Sequence, residues 1–229
     1  MHLIHTTLIH KVIEPPSKVS AKYPTLILLH GRGADENDLL SIAEYLDERL
    51  FIVSARAPFP FQQVSGYTWF DLLEMGMPDP KMFDESFNKV VQFIEDIKTG
   101  YPVNPSKVFL CGFSMGAIIS FALALTRTET LAGVIANSGY IPEENQLQFN
   151  WAGIKGKPFF VSHGLYDPVI PITFGRRASE LLRNAQADLC YREYEMGHQI
   201  GEESLNDIMQ WLTKYLDRGG TATTGAPVQ

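Results

Sequence analysis

Ser114, Asp167 and His198 are the residues whose types and order along the chain could together carry out nucleophilic chemistry. Ser114 is the centre of Gly112-Phe113-Ser114-Met115-Gly116, a G-x-S-x-G pattern. A serine hydroxyl at its ordinary pKa attacks poorly. It needs an imidazole to take its proton, and the imidazole needs a carboxylate to fix its tautomer and stabilise the cation that forms. Two histidines follow the pattern, His163 and His198. His163 has no strand-end carboxylate between it and Ser114, whereas Asp167 lies between Ser114 and His198. The order serine, acid, histidine therefore selects Ser114, Asp167 and His198.

The elements that must position these residues can be read from the apolar pattern. Val108–Cys111 is a short apolar run of the kind that forms a buried strand, and Ala117–Leu125 is a helix-forming run. Strand, Gly-Ser-Gly turn and helix make a nucleophile elbow, which exposes the hydroxyl at the electropositive end of a helix. The context matters because G-x-S-x-G by itself recurs by chance. An elbow serine draws one oxyanion donor from the backbone N–H of the next residue, here Met115. The second should come from the Gly-rich stretch His30-Gly31-Arg32-Gly33, which ends the apolar run Thr25–Leu29; Arg32 is its candidate. His30 reads as a structural residue packed under that turn.

Further strands are expected at 3–13 (one or two), 51–54, 131–136, 158–162 and 189–195, the last alternating like an edge strand. Helices are expected at 38–50, 83–98, 173–187 and 201–216. The pattern is an α/β sheet, mainly parallel, with helices on both faces. Asp167, His198 and Asn137–Tyr140 all follow strands, at the edge where open parallel sheets place their sites. Residues 57–80 form a long loop rich in proline, aromatics and methionine. Loops of this length are usually functional or disordered, and the aromatic content argues against disorder. Trp69 is the leading candidate for a pocket wall there, the alternative being that its ring only pins the loop to the body. Gly31, Tyr140 and Val169, on strand-end loops, complete the candidate substrate-binding residues. Residues 1–218 read as one domain and 219–229 as a flexible tail.

Composition removes other classes of function. The 229 residues carry a net charge of −7, with 45% hydrophobic residues. There is no Lys/Arg cluster for nucleic acid or an anionic membrane, and no apolar run of bilayer-spanning length. The opening MHLIHTTLIHKVIE lacks the basic and continuous apolar regions of a signal peptide, so a cytoplasmic protein is expected. The two cysteines, Cys111 and Cys190, read as buried free thiols. His2, His5 and His10 lack Cys or carboxylate partners at ligand spacing and read as exposed strand histidines, not a metal site.

The chain resembles the phospholipase/carboxylesterase group of α/β-hydrolases, which includes acyl-protein thioesterases. The resemblance spans residues 24–217 and rests on LLHGRGAD (28–35), WFD (69–71), GFSMGA (112–117), NSGYIP (137–142), HGLYDPVIP (163–171) and GHQI (197–200). It implies an α/β-hydrolase fold without a large cap domain. It also implies Ser114 as nucleophile, Asp167 as acid, His198 as base, and the N–H groups of Arg32 and Met115 as oxyanion hole. The thioesterase branch has an apolar residue where Arg32 stands and glutamine where Met115 stands; by these departures the chain is more similar to bacterial small-ester carboxylesterases. The implied reaction is hydrolysis of esters with small to medium acyl chains, with no metal or organic cofactor; the alternatives are a thioesterase or lysophospholipase with the same triad and, from another class, a non-catalytic ligand-binding protein on a hydrolase scaffold. The partner expected is a small-molecule ester. Dimers are frequent in the group, which leaves a homodimer open.

Overall fold

The computed structural model describes residues 3–17, 21–63 and 65–218. The tail expected at 219–229 and His2 lie outside them. Among the described residues, eleven strands and four α-helices follow one another. Strands β1 (His10–Ile13), β2 (Tyr23–Leu29) and β3 (Phe51–Ala55) come first. Four short strands follow: β4 (Phe59–Phe61), β5 (Gly66–Thr68), β6 (Leu72–Glu74) and β7 (Met77–Pro78). Helix α1 (Pro80–Gly100), strand β8 (Val103–Phe113), helix α2 (Met115–Thr126) and strand β9 (Gly133–Asn137) form the centre. Strand β10 (Pro158–Gly164), helix α3 (Ile172–Asn184), strand β11 (Asp188–Tyr194) and helix α4 (Glu202–Asp217) end the described part.

The main sheet has seven strands in the order β1-β3-β2-β8-β9-β10-β11. Only β1 pairs antiparallel; every other pair is parallel. Parallel strands buried on both faces need continuous apolar runs, and Leu26–Leu29 accordingly has no exposed surface. Helices α1, α2 and α3 bury their apolar residues in the core on one face. Helix α4 and a short 3-10 helix at Leu39–Tyr45 cover the other. Residues Met115–Leu125 of α2 are buried all round the helix, which explains why the sequence there has no polar face. β11 is the sheet edge that its alternation predicts.

Four local expectations differ from the structure. The segment 38–50 is only a 3-10 helix that ends when Leu46 becomes extended (φ −84°, ψ 166°) and turns into the core. Just beyond it, Asp47 accepts hydrogen bonds from the Arg49 backbone N–H and Nε (3.0 and 2.8 Å), a local turn that competes with helix. The opening strand covers only 10–13. On it His10 is buried, not exposed, because it faces α1: its ring meets Phe93 edge-on and its Nε2 bonds the Tyr101 hydroxyl (2.8 Å). The long segment 57–80 is two antiparallel hairpins, β4–β5 and β6–β7.

Candidate active site

The elbow follows from close packing at two glycines. A Cβ on Gly112 would lie 2.3 Å from the Gly116 carbonyl oxygen, and one on Gly116 2.0 Å from that of Leu29. With both absent, the chain turns at Ser114, which adopts φ 54° and ψ −117°. Such a conformation in a non-glycine residue is strained and persists only where its surroundings hold it. Here the Ser114 N–H donates to the Asn137 carbonyl (2.9 Å). Asn137 Nδ2 donates in turn to the Gly112 carbonyl (3.3 Å), and the Ser162 hydroxyl to Asn137 Oδ1 (2.6 Å). Asn137 and Ser162 are completely or nearly completely buried. Sequence reasoning missed both as supports of the elbow; the only signal was their place at the ends of adjacent strands.

The three candidates converge although they are far apart in sequence. Asp167 Oδ2 lies 2.7 Å from His198 Nδ1, and His198 Nε2 lies 2.9 Å from Ser114 Oγ. A carboxylate only accepts hydrogen bonds, so Nδ1 carries the ring proton and Nε2 offers its lone pair to the serine hydroxyl. Asp167 Oδ1 accepts from the N–H groups of Val169 and Ile170 (2.8 and 2.9 Å). Burial raises the Asp167 pKa, but the hydrogen bonds from His198, Ile170 and Val169 outweigh it and leave the pKa below the usual carboxylate range. The acid is therefore an anion at neutral pH. His163 sits beneath it, fully buried, its Nε2–H donating to the Ile170 carbonyl (2.8 Å). Burial lowers its pKa. It holds the acid loop in place and does not reach the serine, in agreement with its exclusion from the ordered set.

Met115 and Arg32 carry the two candidate backbone donors. Among the described residues, neither the Met115 nor the Arg32 N–H has a protein acceptor. Met115 opens α2, so its N–H is one of the orphan donors of a helix N-terminus. The loop that carries Arg32 lies against the elbow: a Cβ on Gly31 would be 3.4 Å from Ser114 Cβ. His30 sets the orientation of that loop. Its Nε2 accepts from the Ala57 N–H (3.0 Å), so its proton is on Nδ1, which donates to the Gly31 carbonyl (2.6 Å). In a trans peptide the carbonyl and the next N–H point in opposite directions. Holding the Gly31 carbonyl therefore turns the Arg32 N–H the other way. Burial lowers the His30 pKa, which keeps Nε2 free to accept.

The structure corrects the expectation that Trp69 forms a pocket wall. The residue has no exposed surface, and its indole N–H donates to the His30 carbonyl (2.8 Å). Its neighbours serve the same loop. The Gly33 N–H donates to the Tyr67 carbonyl and the Tyr67 N–H to the Ala34 carbonyl, each at 2.8 Å. Arg56 makes a two-pronged ion pair with Glu36 (2.6 Å each) and lies over the Tyr67 ring. The hairpin β4–β5 is thus a clamp on residues 30–36. Tyr140 is also buried, its ring tilted by 46° against that of Phe174, and among the described residues its hydroxyl has no partner. Val169 is 49% exposed on the acid loop, beside Tyr166 at 67%. A cavity of about 340 Å³ combines the apolar Met75, Met77, Tyr140 and Phe174 with the charged Glu74, Glu143, Glu144 and Arg177 in its lining. Cys111 is buried and its thiol is pushed up to about 12 by burial; Cys190 is only partly buried, and both are free.

A family model described as phospholipase/carboxylesterase matches residues 9–216. The chain belongs to the phospholipase/carboxylesterase family. Acyl-protein thioesterase 1 of Candida albicans is 30% identical over 228 residues, covering 90% of this chain and 98% of that protein. The crystal structure of a Bacillus cereus carboxylesterase superposes with a TM-score of 0.79 at 24% identity, covering 91% of this chain and 94% of that one. A carboxylesterase from Mesorhizobium loti gives 0.80 at 21% identity, covering 92% and 97%. The fold is the α/β-hydrolase fold without a large cap, as the motifs imply. Membership of the phospholipase/carboxylesterase family makes the protein a hydrolase of the esterase and thioesterase type. Among the described residues, no helix is long and apolar enough to cross a membrane.

Proposed function

We propose that the protein is a carboxylesterase that cleaves esters of small to medium acyl chains through an acyl-enzyme on Ser114. The observation that carries this reading is the unbroken relay from Asp167 to His198 (2.7 Å) and from His198 to Ser114 Oγ (2.9 Å). In the first half-reaction, Oγ attacks the ester carbonyl while its proton passes to His198 Nε2. Asp167 holds the ring and stabilises the imidazolium. The negative charge that develops on the carbonyl oxygen is met by the N–H groups of Arg32 and Met115. A donor of this kind contributes on the order of 3 kcal/mol to the transition state. His198 then returns the proton to the departing alkoxide. Water repeats the sequence on the acyl-enzyme and releases the acid. None of these steps calls on a metal or organic cofactor.

The acyl chain would rest on Met75, Met77, Tyr140 and Phe174 in the 340 Å³ cavity, which Glu74, Glu143, Glu144 and Arg177 also line. Thioester hydrolysis is the second reading, favoured by the 30% identity to an acyl-protein thioesterase. The same triad serves both, because only the leaving group differs. The test is the initial rate on p-nitrophenyl esters of increasing acyl length and on the matched thioesters. The carboxylesterase reading expects turnover of short oxygen esters that falls as the chain outgrows the cavity. A strong preference for long-chain thioesters would overturn it in favour of the second.

A further inference from the structure

Strand β11 is an open edge of the main sheet. It pairs with β10 in an unbroken parallel register from Asp188 to Tyr194, and among the described residues no strand lies on its other side. The ladder fixes which backbone groups are spare. The Asp188 N–H donates to the Lys157 carbonyl and the Tyr194 carbonyl accepts from the Leu165 N–H, so the even-numbered residues bond toward β10. The N–H and C=O groups of Leu189, Tyr191 and Glu193 therefore point outward. Natural edges are usually blunted by proline, a bulge or charged side chains. β11 has no proline and no bulge, and its charges, Asp188, Arg192 and Glu193, are of both signs. A groove of about 540 Å³ is bounded by residues 188–192 of β11 and by Asp207, Gln210, Trp211 and Lys214 of α4. Trp211 is 6% exposed, yet its indole N–H has no partner among the described residues. Buried polar groups are almost always partnered, so an open ladder and an orphan donor lining one groove both call for an occupant.

We propose that the occupant is β11 of a second copy of this chain, paired antiparallel about a two-fold axis at Cys190, so that the two main sheets become one. The register follows from what faces what. With the axis at Cys190, Asp188 of each copy faces Arg192 of the other, and Leu189 faces Tyr191. The outward N–H and C=O groups of Leu189 and Tyr191 then exchange both hydrogen bonds. An axis at Tyr191 would instead set Leu189 against Glu193 and Cys190 against Arg192, with no charge match. Charge complementarity thus selects both a second copy and one register. The charged groups are able to make the change. Arg192 Nη1 covers the Tyr191 carbonyl (3.3 Å) where a strand would lie, and its ion pair with Asp207 is long, at 3.6 Å. Such exposed pairs contribute little. Asp188 accepts from Tyr215 and Arg218 at 2.8 and 3.0 Å, both at Oδ2, which leaves Oδ1 for Arg192 of the second copy. Ser114, Asp167 and His198 lie at the C-terminal edge of the sheet, so antiparallel pairing points the two sites in opposite directions. The pairing does not depend on the reaction that Ser114 performs.

The test is sedimentation velocity over a range of micromolar concentrations, on the wild type, Asp188→Arg and Arg192→Asp. The wild type should form a reversible dimer. Each variant alone sets like charges face to face at both pairs and should weaken the dimer by roughly 10–100-fold. An equimolar mixture of the two variants should dimerise again, because each charge then meets its opposite. That recovery separates a lost interface from a misfolded chain. Cys190 reports the register. Across a non-hydrogen-bonded antiparallel pair the Cα atoms are about 4.5 Å apart, within the reach of a disulfide. Diamide, which is reduced to its hydrazine as it takes up the two thiol hydrogens, should join the two Cys190 side chains in the wild type. Cys190→Ser should not cross-link, since Cys111 is buried. A wild type that stays monomeric would overturn the proposal and leave the edge to an extended segment of another protein. Single variants that dimerise as well as the wild type, or a mixture that does not recover, would overturn it too. A dimer that diamide fails to cross-link would overturn the register at Cys190.

Discussion

Trp69→Phe separates two roles for the largest fully buried side chain beside the site. In the structure the indole N–H donates to the His30 carbonyl, and His30 in turn holds the Gly31 carbonyl that orients the Arg32 N–H. Phenylalanine keeps an aromatic ring but removes the donor. The buried His30 carbonyl then loses that donor, at a cost of about 1–3 kcal/mol. The smaller ring also leaves a gap, worth a further 1–2 kcal/mol or so. A total near 3 kcal/mol lowers Tm by roughly 6–12 °C in a chain of this size. Because the loosened loop carries one of the two proposed oxyanion donors, kcat should fall about tenfold, short of the 10²–10³ expected for loss of the donor itself. Trp69 is fully buried and lines no part of the 340 Å³ cavity, so the chain-length profile should keep its shape. The assay is thermal unfolding together with kcat and KM on a series of p-nitrophenyl esters. A stable variant with unchanged kcat and an extended chain-length range would refute the clamp and restore the pocket-wall role.

Other perturbations have equally definite outcomes. Asp167→Asn keeps an acceptor for the Val169 and Ile170 N–H groups but offers His198 the wrong partner for its tautomer; kcat should fall by on the order of 10⁴ with little change in Tm, measured side by side. Gly116→Ala places a methyl 2.0 Å from the Leu29 carbonyl oxygen and should leave little soluble folded protein, whereas normal expression with full activity would contradict the elbow packing. Burial lowers the pKa of His10, His30 and His163. Below the unfolded value near 6.5 the unfolded chain binds protons that the folded one refuses, so stability falls as pH drops through that value. Three such groups give a slope of up to about 4 kcal/mol per pH unit. Urea midpoints at pH 7.5 and 5.5 test this, and equal midpoints would show that these histidines are not held neutral.

Much of the site could be read from short stretches of the chain. The apolar runs of β2 and β8 are continuous because both faces of the sheet are covered, and the elbow glycines mark a local steric requirement at Gly112 and Gly116. Ser114, Asp167 and His198 each follow a strand, so their order along the chain already placed them on one edge. What escaped was set by contacts between distant segments. Nothing within residues 57–80 says that they pair with residues 30–36, and without that pairing Trp69 looks like any aromatic on a loop. The burial of His10 depends on α1 crossing over it, and the 38–50 segment loses its helix to a turn made by Asp47 and to the core demand on Leu46. The unpartnered Tyr140 hydroxyl could not be anticipated, since an absence of partners belongs to the packed state alone.

The central claim is that Ser114 becomes acylated. The most direct measurement is rapid quench of the enzyme with a short p-nitrophenyl ester, followed by mass analysis of the peptide carrying residues 108–126. The expected result is an acyl adduct on Ser114 that forms and decays in step with turnover, and no adduct in Ser114→Ala, whose kcat should fall by several orders of magnitude. Turnover with no adduct on that peptide, or undiminished activity in Ser114→Ala, would contradict it.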